Sequence, residues 1–544
     1  MPLKPNRPTR YSGCSHYGRH LGTLLLALAA SHPLAQTPAP GAPAMSTPAK
    51  PVFSIRGFDI SGDNPLPAGE STRILAPFLR SDASMETLQK ATTALEEALK
   101  ARGYALHRVV LPPQEVGETV RLNIVKFVLG KVSVEGLKDY SEANIRASLP
   151  ELQEGTAPNF RTLAVQTAIA NESAGKQVQI ALKEAEAADQ IDARVVVTES
   201  KPWNFALSLA NTGSRASGRD RLTFSGSHAN VLDLDHQFTG AYTTSLEKNS
   251  DVQQLGLNYK APLYRLGGVA AASFTHSKVV GDFGAFQSTG AGQTLGISYS
   301  QYLPPDGGYR SYVTLGLDDK RFDPSVISGV VIGQTRRSRP LSLGYTAKVE
   351  SNTASWGYNT ELVANTVKGS GNNLSAYRSE DPRISTAAFK LLRANANYLA
   401  GFAQGWLYSV RTQLQYSPHA LISGEQFGLG GASSIRGTSE RPISGDRGLL
   451  ATLEIMTPDV QPGLRLFGFV DAGWLGNNNP NATNKPDHDR LASVGLGLRY
   501  TAGTLGLSAE WGRIVTGSTL ANGANTSIPK AGDSKFHLNL TARF

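Results

Sequence analysis

The sequence predicts a transmembrane β-barrel preceded by two small α+β modules, and three observations support this fold class. The 544 residues include 55 glycines and only 18% are charged, a composition typical of β-rich proteins. A β-α-α-β-β order occurs twice near the N-terminus, and short segments that alternate apolar and polar residues fill 203–544. The chain is too long for one ordinary core, so several domains are expected.

Residues 1–35 have the organisation of a secretory signal peptide. A basic start precedes the apolar run 21–30, which is too short to span a membrane, and small residues follow it up to Ala35. Cys14, the only cysteine, comes before the apolar run. The exported chain is therefore expected to lack cysteine, and with it disulfides and the usual zinc frameworks. Residues 36–51 contain five prolines and predict a linker without a helix.

Two consecutive modules, 52–127 and 128–200, share the predicted order β-α-α-β-β. In the first, Ser84 is placed to cap a helix that carries one apolar stripe, and Gly103 is placed to end it. Two alternating strands follow, and the second module repeats the whole order. A matched order in neighbouring segments indicates an internal repeat. A pair of α+β modules with no common role is the alternative that the sequence alone leaves open.

From residue 203 the sequence predicts sixteen antiparallel strands and no convincing helix. The strand segments are 203–213, 221–232, 236–246, 251–263, 266–279, 289–303, 308–322, 338–351, 354–367, 388–402, 406–418, 448–458, 464–475, 490–501, 504–515 and 535–544. Single-chain bacterial barrels have an even strand number, with short turns at one rim and long loops at the other. A closed barrel also satisfies every backbone group in lipid. We therefore predict a barrel over 201–544.

The last segment, 535–544, ends the chain on Phe544. Its apolar and polar residues alternate without a break, so that one face suits lipid and the other a polar lumen. A terminal phenylalanine on an amphipathic strand resembles the signal that the outer-membrane assembly machinery reads. Phe544 is therefore expected to serve as an assembly signal, with that machinery as a partner for the chain's own insertion.

No residue pattern points to catalysis, a cofactor or a metal, so the protein is not expected to be an enzyme. The histidines are dispersed, and nucleophile-elbow and phosphate-loop motifs are missing. We interpret Asp233, Asp235 and His236 as a hairpin tip rather than a metal site. The asparagine-rich segment 476–489 is interpreted as an exposed loop. The net charge of +9 is spread over alternating strands without a reader motif, so no nucleic-acid partner is expected.

The candidate site combines a glycine-rich loop, 424–448, with a strand over 467–474. The loop carries Arg436, and the strand places Phe469 and Asp471 on the same face. A glycine beside an arginine lets the backbone pass close to a barrel wall, where an aspartate is a natural partner for the guanidinium. Taken alone, these residues also fit a solvated arginine in an external loop and a lone strand aspartate.

Together these features resemble the transporter component of two-partner secretion, the hemolysin secretion/activation protein family (TpsB-type) of the Omp85 superfamily. The family's inward loop carries V-R-G-Y/F, and the matching residues here are Ile435, Arg436, Gly437 and Thr438. Its partner strand carries F-x-D-x-G, and the matching residues here are Phe469, Asp471 and Gly473. Thr438 departs from the family's aromatic residue.

The resemblance implies a fold and a mechanism. The two modules would be polypeptide-transport-associated (POTRA) domains in the periplasm, and the barrel would lie in outer-membrane lipid. The loop 424–448 would fold into the lumen, where Arg436 would pair with Asp471. An unfolded exoprotein would add a strand to an open sheet edge, for which 105–111 and 177–182 are the candidates, and then cross the barrel pore.

Three other functions remain open from the sequence. A barrel-assembly factor of the same superfamily usually has more POTRA domains than the two predicted here. A passive porin or substrate-specific channel has no periplasmic modules, which counts against it. A barrel that carries an adhesin or lipase-type passenger should show a repetitive or catalytic domain, and none is visible. Many family members also have a pore-plugging helix, for which 36–51 is too rich in proline. Either the plug is absent here or this segment occupies the pore in extended form.

Overall fold

The computed structural model describes residues 52–544 except 116, 215–216, 284, 328–329, 333, 481–484 and 522–527. The predicted signal peptide, 1–35, and the predicted linker, 36–51, lie outside the described residues.

The first module is a three-stranded sheet covered by two helices. Its elements are β1 (Gly57–Gly62), α1 (Glu70–Leu75, followed by the 3-10 turn Ala76–Phe78), α2 (Met85–Ala101), β2 (His107–Val110) and β3 (Thr119–Lys126). The strand order is β1-β3-β2, so β2 is an edge strand. Ser84 and Thr87 form the capping box that starts α2. The buried stripe of α2, including Leu88 and Leu95, packs on Leu122 of the sheet.

The second module has the same element order and the same sheet order. Its elements are β4 (Val128–Glu135), α3 (Glu142–Ser148), α4 (Phe160–Ala170), β5 (Lys176–Glu184) and β6 (Gln190–Glu199). The sheet order is β4-β6-β5, with β4 parallel and β5 antiparallel to the central β6. Edge strand β5 of this module thus corresponds to edge strand β2 of the first.

Sixteen antiparallel strands form the closed barrel, which confirms the predicted number. They are β7 (Trp203–Ala210), β8 (Arg221–Val231), β9 (His236–Thr244), β10 (Gln253–Leu263), β11 (Gly268–Ser277), β12 (Gly292–Tyr302), β13 (Tyr309–Phe322), β14 (Pro340–Glu350, extended by the short segment Arg336–Ser338), β15 (Ala354–Asn365), β16 (Lys390–Ala403), β17 (Trp406–Tyr416), β18 (Arg447–Met456), β19 (Leu464–Gly476), β20 (His488–Ala502), β21 (Leu505–Thr516) and β22 (Ser534–Arg543). The last strand, β22, pairs with β7 and closes the wall.

The barrel wall has an apolar exterior and a more polar interior. On β19 the side chains of Leu466, Val470 and Trp474 are exposed, whereas Phe469 and Asp471 between them are buried inside. This alternation follows from the two-residue period of a strand and is what lipid on one side requires. Over the described part of the chain, no helix is both long and apolar enough to cross a membrane.

In the part of the chain that the structure describes, one α-helix after residue 203 contradicts the expectation that there is none. A five-residue helix, Leu374–Arg378, lies in the long connection between β15 and β16, and the Asn373 side chain caps it by accepting from the Ala376 N–H. Its Tyr377 packs in a buried apolar cluster with Phe389 and Ile422. So short a helix has no periodicity to reveal it, and tertiary packing stabilises it.

Candidate functional site

The connection between β17 and β18, residues 417–446, folds into the barrel and is called the inward loop below. Two short segments of the loop, Phe427–Leu429 and Ile443–Gly445, pair as an antiparallel hairpin. The turn between these segments carries Arg436, whose side chain is only 1% exposed. The predicted loop, 424–448, begins seven residues after the start of this connection, and its last two residues belong to β18.

Arg436 and Asp471 are in direct contact. The Arg436 backbone N–H donates to Asp471 Oδ2 at 3.0 Å, Nε donates to the same oxygen at 2.9 Å, and Nη2 donates to Oδ1 at 2.7 Å. Ser493 Oγ on the neighbouring strand also donates to Asp471 Oδ2, at 3.1 Å. This bidentate geometry, which the planar guanidinium permits, fixes the loop in register with the wall.

Two further carboxylates and an aromatic ring complete the surroundings of Arg436. Its Nη1 lies 2.6 Å from Glu454 Oε1 on β18 and 3.2 Å from Glu510 Oε2 on β21. The guanidinium carbon lies 3.4 Å from the centre of the Phe469 ring. A buried charge is stable only when it is paired and hydrogen-bonded, so this arrangement stabilises the loop inside the lumen and disfavours removal of any one partner.

Apolar packing holds the tip of the inward loop beside the ion pairs. Ile435 is buried with Leu429 and Ile443 of the same loop. The wall contributes the buried side chains of Leu450, Leu475, Leu491 and Ile514 to this cluster. The loop is thus held by apolar burial and by buried charges at once.

Two glycines allow the loop to approach the wall. Gly437 has φ +98°, and a Cβ there would lie 2.8 Å from the Gly512 carbonyl oxygen; its N–H donates to His537 Nε2 at 3.2 Å. A Cβ on Gly473 would lie 2.6 Å from the Leu429 side chain. A larger residue at either position would therefore push the loop away from the wall. Thr438, the departure from the family motif, is 8% exposed and lies within this packed region.

The sequence reasoning missed a second group of buried charges near the start of the inward loop. The Glu425 carboxylate is buried and lies 3.1 Å from Lys320 Nζ and 2.9 Å from Arg393 Nη2. Ser338 Oγ donates to it at 2.9 Å. The contacts of Glu454 and Glu510 with Arg436 were missed as well. The signal available in the sequence was their position on the inward face of their strands, where a charged residue needs a partner.

A polar cavity of about 560 Å³ lies beside the inward loop. Its wall includes Thr275, Gln293, Asn395 and Gln413 from strands of the barrel, and Arg441 from the loop itself. The side chain of Arg441 donates to the carbonyl oxygens of Ser423, Gln426 and Thr289. The lumen is therefore hydrophilic next to the loop and partly filled by it. No group of three or more metal-binding side chains is arranged to hold a metal in the described ranges.

Phe544 lies at the end of β22 with its side chain 65% exposed. Its N–H donates to the Phe205 carbonyl at 2.9 Å, so the terminal residue still belongs to the closing seam of the wall. Phe536, Leu538 and Leu540 of the same strand are also exposed. The strand thus offers an uninterrupted apolar face up to the last residue.

We predict that deletion of Phe544 lowers the amount of assembled barrel in the outer membrane several-fold, because this residue is expected to serve as the assembly signal and unassembled chains are degraded. The amount of folded barrel in the outer-membrane fraction is measured by gel electrophoresis, in which heating shifts the mobility of a folded barrel. A Phe544→Tyr variant keeps an aromatic terminus and is the matched control. Equal amounts of barrel with and without Phe544 would show that this residue is not the signal.

A sixteen-stranded barrel with α+β modules before it and a loop latched inside its lumen defines a class, the outer-membrane protein transporters. A family model described as Haemolysin secretion/activation protein ShlB/FhaC/HecB matches residues 189–500, and a second, POTRA domain, ShlB-type, matches residues 53–126. The chain therefore belongs to the ShlB/FhaC/HecB family of two-partner secretion transporters, which act with a secreted exoprotein. Its barrel lies in the outer membrane, with POTRA structure in the periplasm.

Individual relatives agree with this assignment. The chain is 23% identical over 496 residues to the outer membrane transporter CdiB of Escherichia coli, covering 88% of this chain and 81% of the relative. It is 18% identical to the heme/hemopexin transporter protein HuxB of Haemophilus influenzae, covering 87% of this chain and 84% of the relative.

The solved structure of CdiB from Escherichia coli has a TM-score of 0.71 at 19% identity, and the match covers 93% of both chains. CdiB from Acinetobacter baumannii has a TM-score of 0.65 at 18% identity, covering 92% of this chain and 93% of that one. At these identities the structures establish the shared fold.

Proposed function

We propose that this protein recognises one unfolded exoprotein in the periplasm and secretes it through its barrel pore. Both modules, 52–127 and 128–200, act as POTRA domains in this proposal, and the barrel, 201–544, is the conduit. The observation that carries the proposal is the contact of Arg436 with Asp471, because it holds the inward loop inside a hydrophilic lumen. In this proposal the latched loop is the state that receives the exoprotein, and the lumen widens only as the exoprotein enters. A chain that cannot form the latch therefore secretes less.

The open edge of β5 supports recognition by strand addition. The Ser200 N–H donates to the Gly175 carbonyl, so odd-numbered residues of β5 bond to β6 and even-numbered residues face outward. The outward position after Lys176 is Val178, which is already occupied by the Asn171 side chain; this side chain both donates to the Val178 carbonyl and accepts from its N–H. The backbone groups of Ile180 and Leu182 therefore face away from the sheet and suit an extended chain.

The corresponding edge of the first module is less open. The outward N–H of Val109 on β2 donates to the Glu96 side chain of α2, and that of His107 donates to the Tyr104 carbonyl. These contacts occupy the positions where an added strand would bond. Of the two candidate edges, 177–182 is therefore the better supported, and 105–111 the weaker.

The direction of transport has to come from folding outside the cell. The sequence has no nucleotide-binding motif, and the periplasm supplies no nucleotide. A segment of the exoprotein that has folded after it emerges cannot return through the pore, so folding outside gives the passage its direction. We also propose that the barrel exterior contacts lipid and that the assembly machinery inserts the barrel.

A paired proteome of a deletion strain and its parent tests the function. We expect one or a few large secreted proteins to disappear from the culture supernatant while the outer membrane keeps its other barrels. Expression of the gene from a plasmid should restore them. A broad fall in barrel proteins would instead establish an assembly factor. If neither fraction changed under conditions where the exoprotein is expressed, a passive channel would be the better description.

A further inference from the structure

The second module is attached to the barrel through a buried ion pair. Lys176, the first residue of β5, places Nζ 2.5 Å from Asp235 Oδ2, and the two side chains are 0% and 2% exposed. Asp235 lies in the tight turn between β8 and β9, which was interpreted from the sequence only as a hairpin tip. Leu232, Asp233 and Asp235 of this turn adopt left-handed conformations, so the turn is held in an unusual shape that presents Asp235 to the module.

Further hydrogen bonds complete this contact on both sides. Lys176 Nζ also donates to Asn144 Oδ1 at 3.0 Å, and the Tyr264 hydroxyl, from the turn between β10 and β11, donates to Asp235 Oδ2 at 2.5 Å. Asn144 Nδ2 donates to the Asp233 carbonyl at 2.9 Å. The Tyr264 ring is part of the apolar core of the second module. Lys176, Asn144, Asp235 and Tyr264 are called the joint below.

Each buried charge of the joint depends on its partner. Burial lowers the pKa of Lys176, and the Asp235 carboxylate acts in the opposite direction. The charged ammonium is therefore stable in this position only because the carboxylate is beside it. Separation of the module would remove Tyr264 from its apolar surroundings and break the hydrogen bonds of the joint, so opening is unfavourable.

A second contact aligns the module with the pore. Glu172, just after α4, lies 2.6 Å from Lys348 Nζ and 3.7 Å from Arg310, both on inward faces of barrel strands. Strand β5 begins at the joint, and Leu182 is six residues further along, or about 20 Å at the rise of an extended strand. The open edge of β5 thus starts at the barrel mouth and extends away from it.

We propose that Lys176 and Asp235 are positioning residues that keep the second module docked at the barrel mouth while the exoprotein passes, an inference that rests on the transport function proposed above. The joint aligns the open edge of β5 with the lumen. A chain paired along β5 is then directed to the pore, and no undocking step is needed.

A double-mutant cycle tests the pairing. Lys176→Met or Asp235→Asn leaves one buried charge unpaired, and each single variant is expected to lower secretion of the exoprotein about tenfold. The combined variant removes both charges and should recover most of the loss, which a purely local packing defect at either position would not allow. Arg194→Ala, which breaks an exposed pair with Glu135 in the same module, is the matched control and should secrete normally. Normal secretion by both single variants would overturn the proposal.

A disulfide across the contact tests whether the module stays docked. The Ser173 hydroxyl lies 3.5 Å from the Ala229 carbonyl, so these two residues are neighbours across the contact, and a cysteine pair at these positions in a Cys14→Ser chain is the bridge to test. We expect the oxidised pair to form in the membrane-inserted protein and to secrete as well as the reduced pair. Failure of the bridge to form, or a block of secretion that reduction relieves, would overturn the proposal. Bridge formation needs no exoprotein, so failure of the transport function itself would be seen separately.

Discussion

Replacement of Arg436 by alanine will lower exoprotein secretion at least tenfold while the barrel remains folded in the outer membrane. Breaking a buried ion pair by removing one partner costs about 3–5 kcal/mol. Since about 1.4 kcal/mol changes an equilibrium constant tenfold, this cost is enough to depopulate the latched loop by more than a factor of ten. Asp471 would then keep only two uncharged donors, Ser493 Oγ and the backbone N–H of residue 436. The inward loop would leave the wall, because its apolar contacts alone would have to offset that unpaired carboxylate.

Asp471→Ala should have a smaller effect than Arg436→Ala. Without Asp471 the guanidinium of Arg436 still lies 2.6 Å from Glu454 and 3.2 Å from Glu510. Without Arg436, by contrast, Glu454 keeps Arg499 at 2.9 Å, but Asp471 has no cation beside it. Arg436→Ala is therefore expected to lower secretion more than Asp471→Ala. Arg436→Lys should not restore secretion, because one ammonium group cannot form the bidentate pair.

Two measurements separate a latch from a general defect. Secretion of the exoprotein reports transport, and single-channel conductance of the purified protein in KCl reports the opening of the lumen without any partner. Arg436→Ala should show frequent large openings in the second measurement. Arg465 lies on the same strand as Asp471 and forms an exposed pair with Asp459. Arg465→Ala, which breaks that pair, is the control. Normal secretion by Arg436→Ala, or a larger loss with Asp471→Ala, would contradict the proposed role.

The barrel could be predicted closely because lipid imposes a two-residue period on every wall strand. Leu466, Val470 and Trp474 must face lipid, and this requirement appears in the sequence as an alternation of apolar and polar residues. The helix at Leu374–Arg378 could not be predicted in the same way. Its stability depends on the packing of Tyr377 against distant residues of other loops, which five residues of sequence do not record.

The site was only partly predictable for a related physical reason. The motif around Arg436 and the aspartate of its partner strand indicated one contact. Glu454 and Glu510 approach the same guanidinium from two other strands, and such a convergence depends on the closure of the barrel. Asp235 was interpreted correctly as part of a turn, but its partner Lys176 is 59 residues away in another module. Long-range pairs of this kind follow from the fold and not from local patterns.

Leu182→Pro will lower secretion about tenfold, because proline removes the outward N–H at the open edge of β5 and its ring obstructs an added strand. The N–H of Leu182 does not bond to β6, so the ladder within the module is preserved. The side chain is 39% exposed, and its loss from the core is therefore minor.

Leu182→Ala is the matched control, because it removes the same side chain and keeps the backbone N–H. It should secrete close to the unmodified level, and Ala181→Pro, which breaks a bond to β6, should instead destabilise the module. Limited proteolysis of the second module distinguishes the two proline variants. If Leu182→Pro secreted as well as Leu182→Ala while the module stayed protease-resistant, the exoprotein would not be recognised by strand addition at β5. The edge of β2 would then be the position to test next, after Glu96→Ala has freed the Val109 N–H.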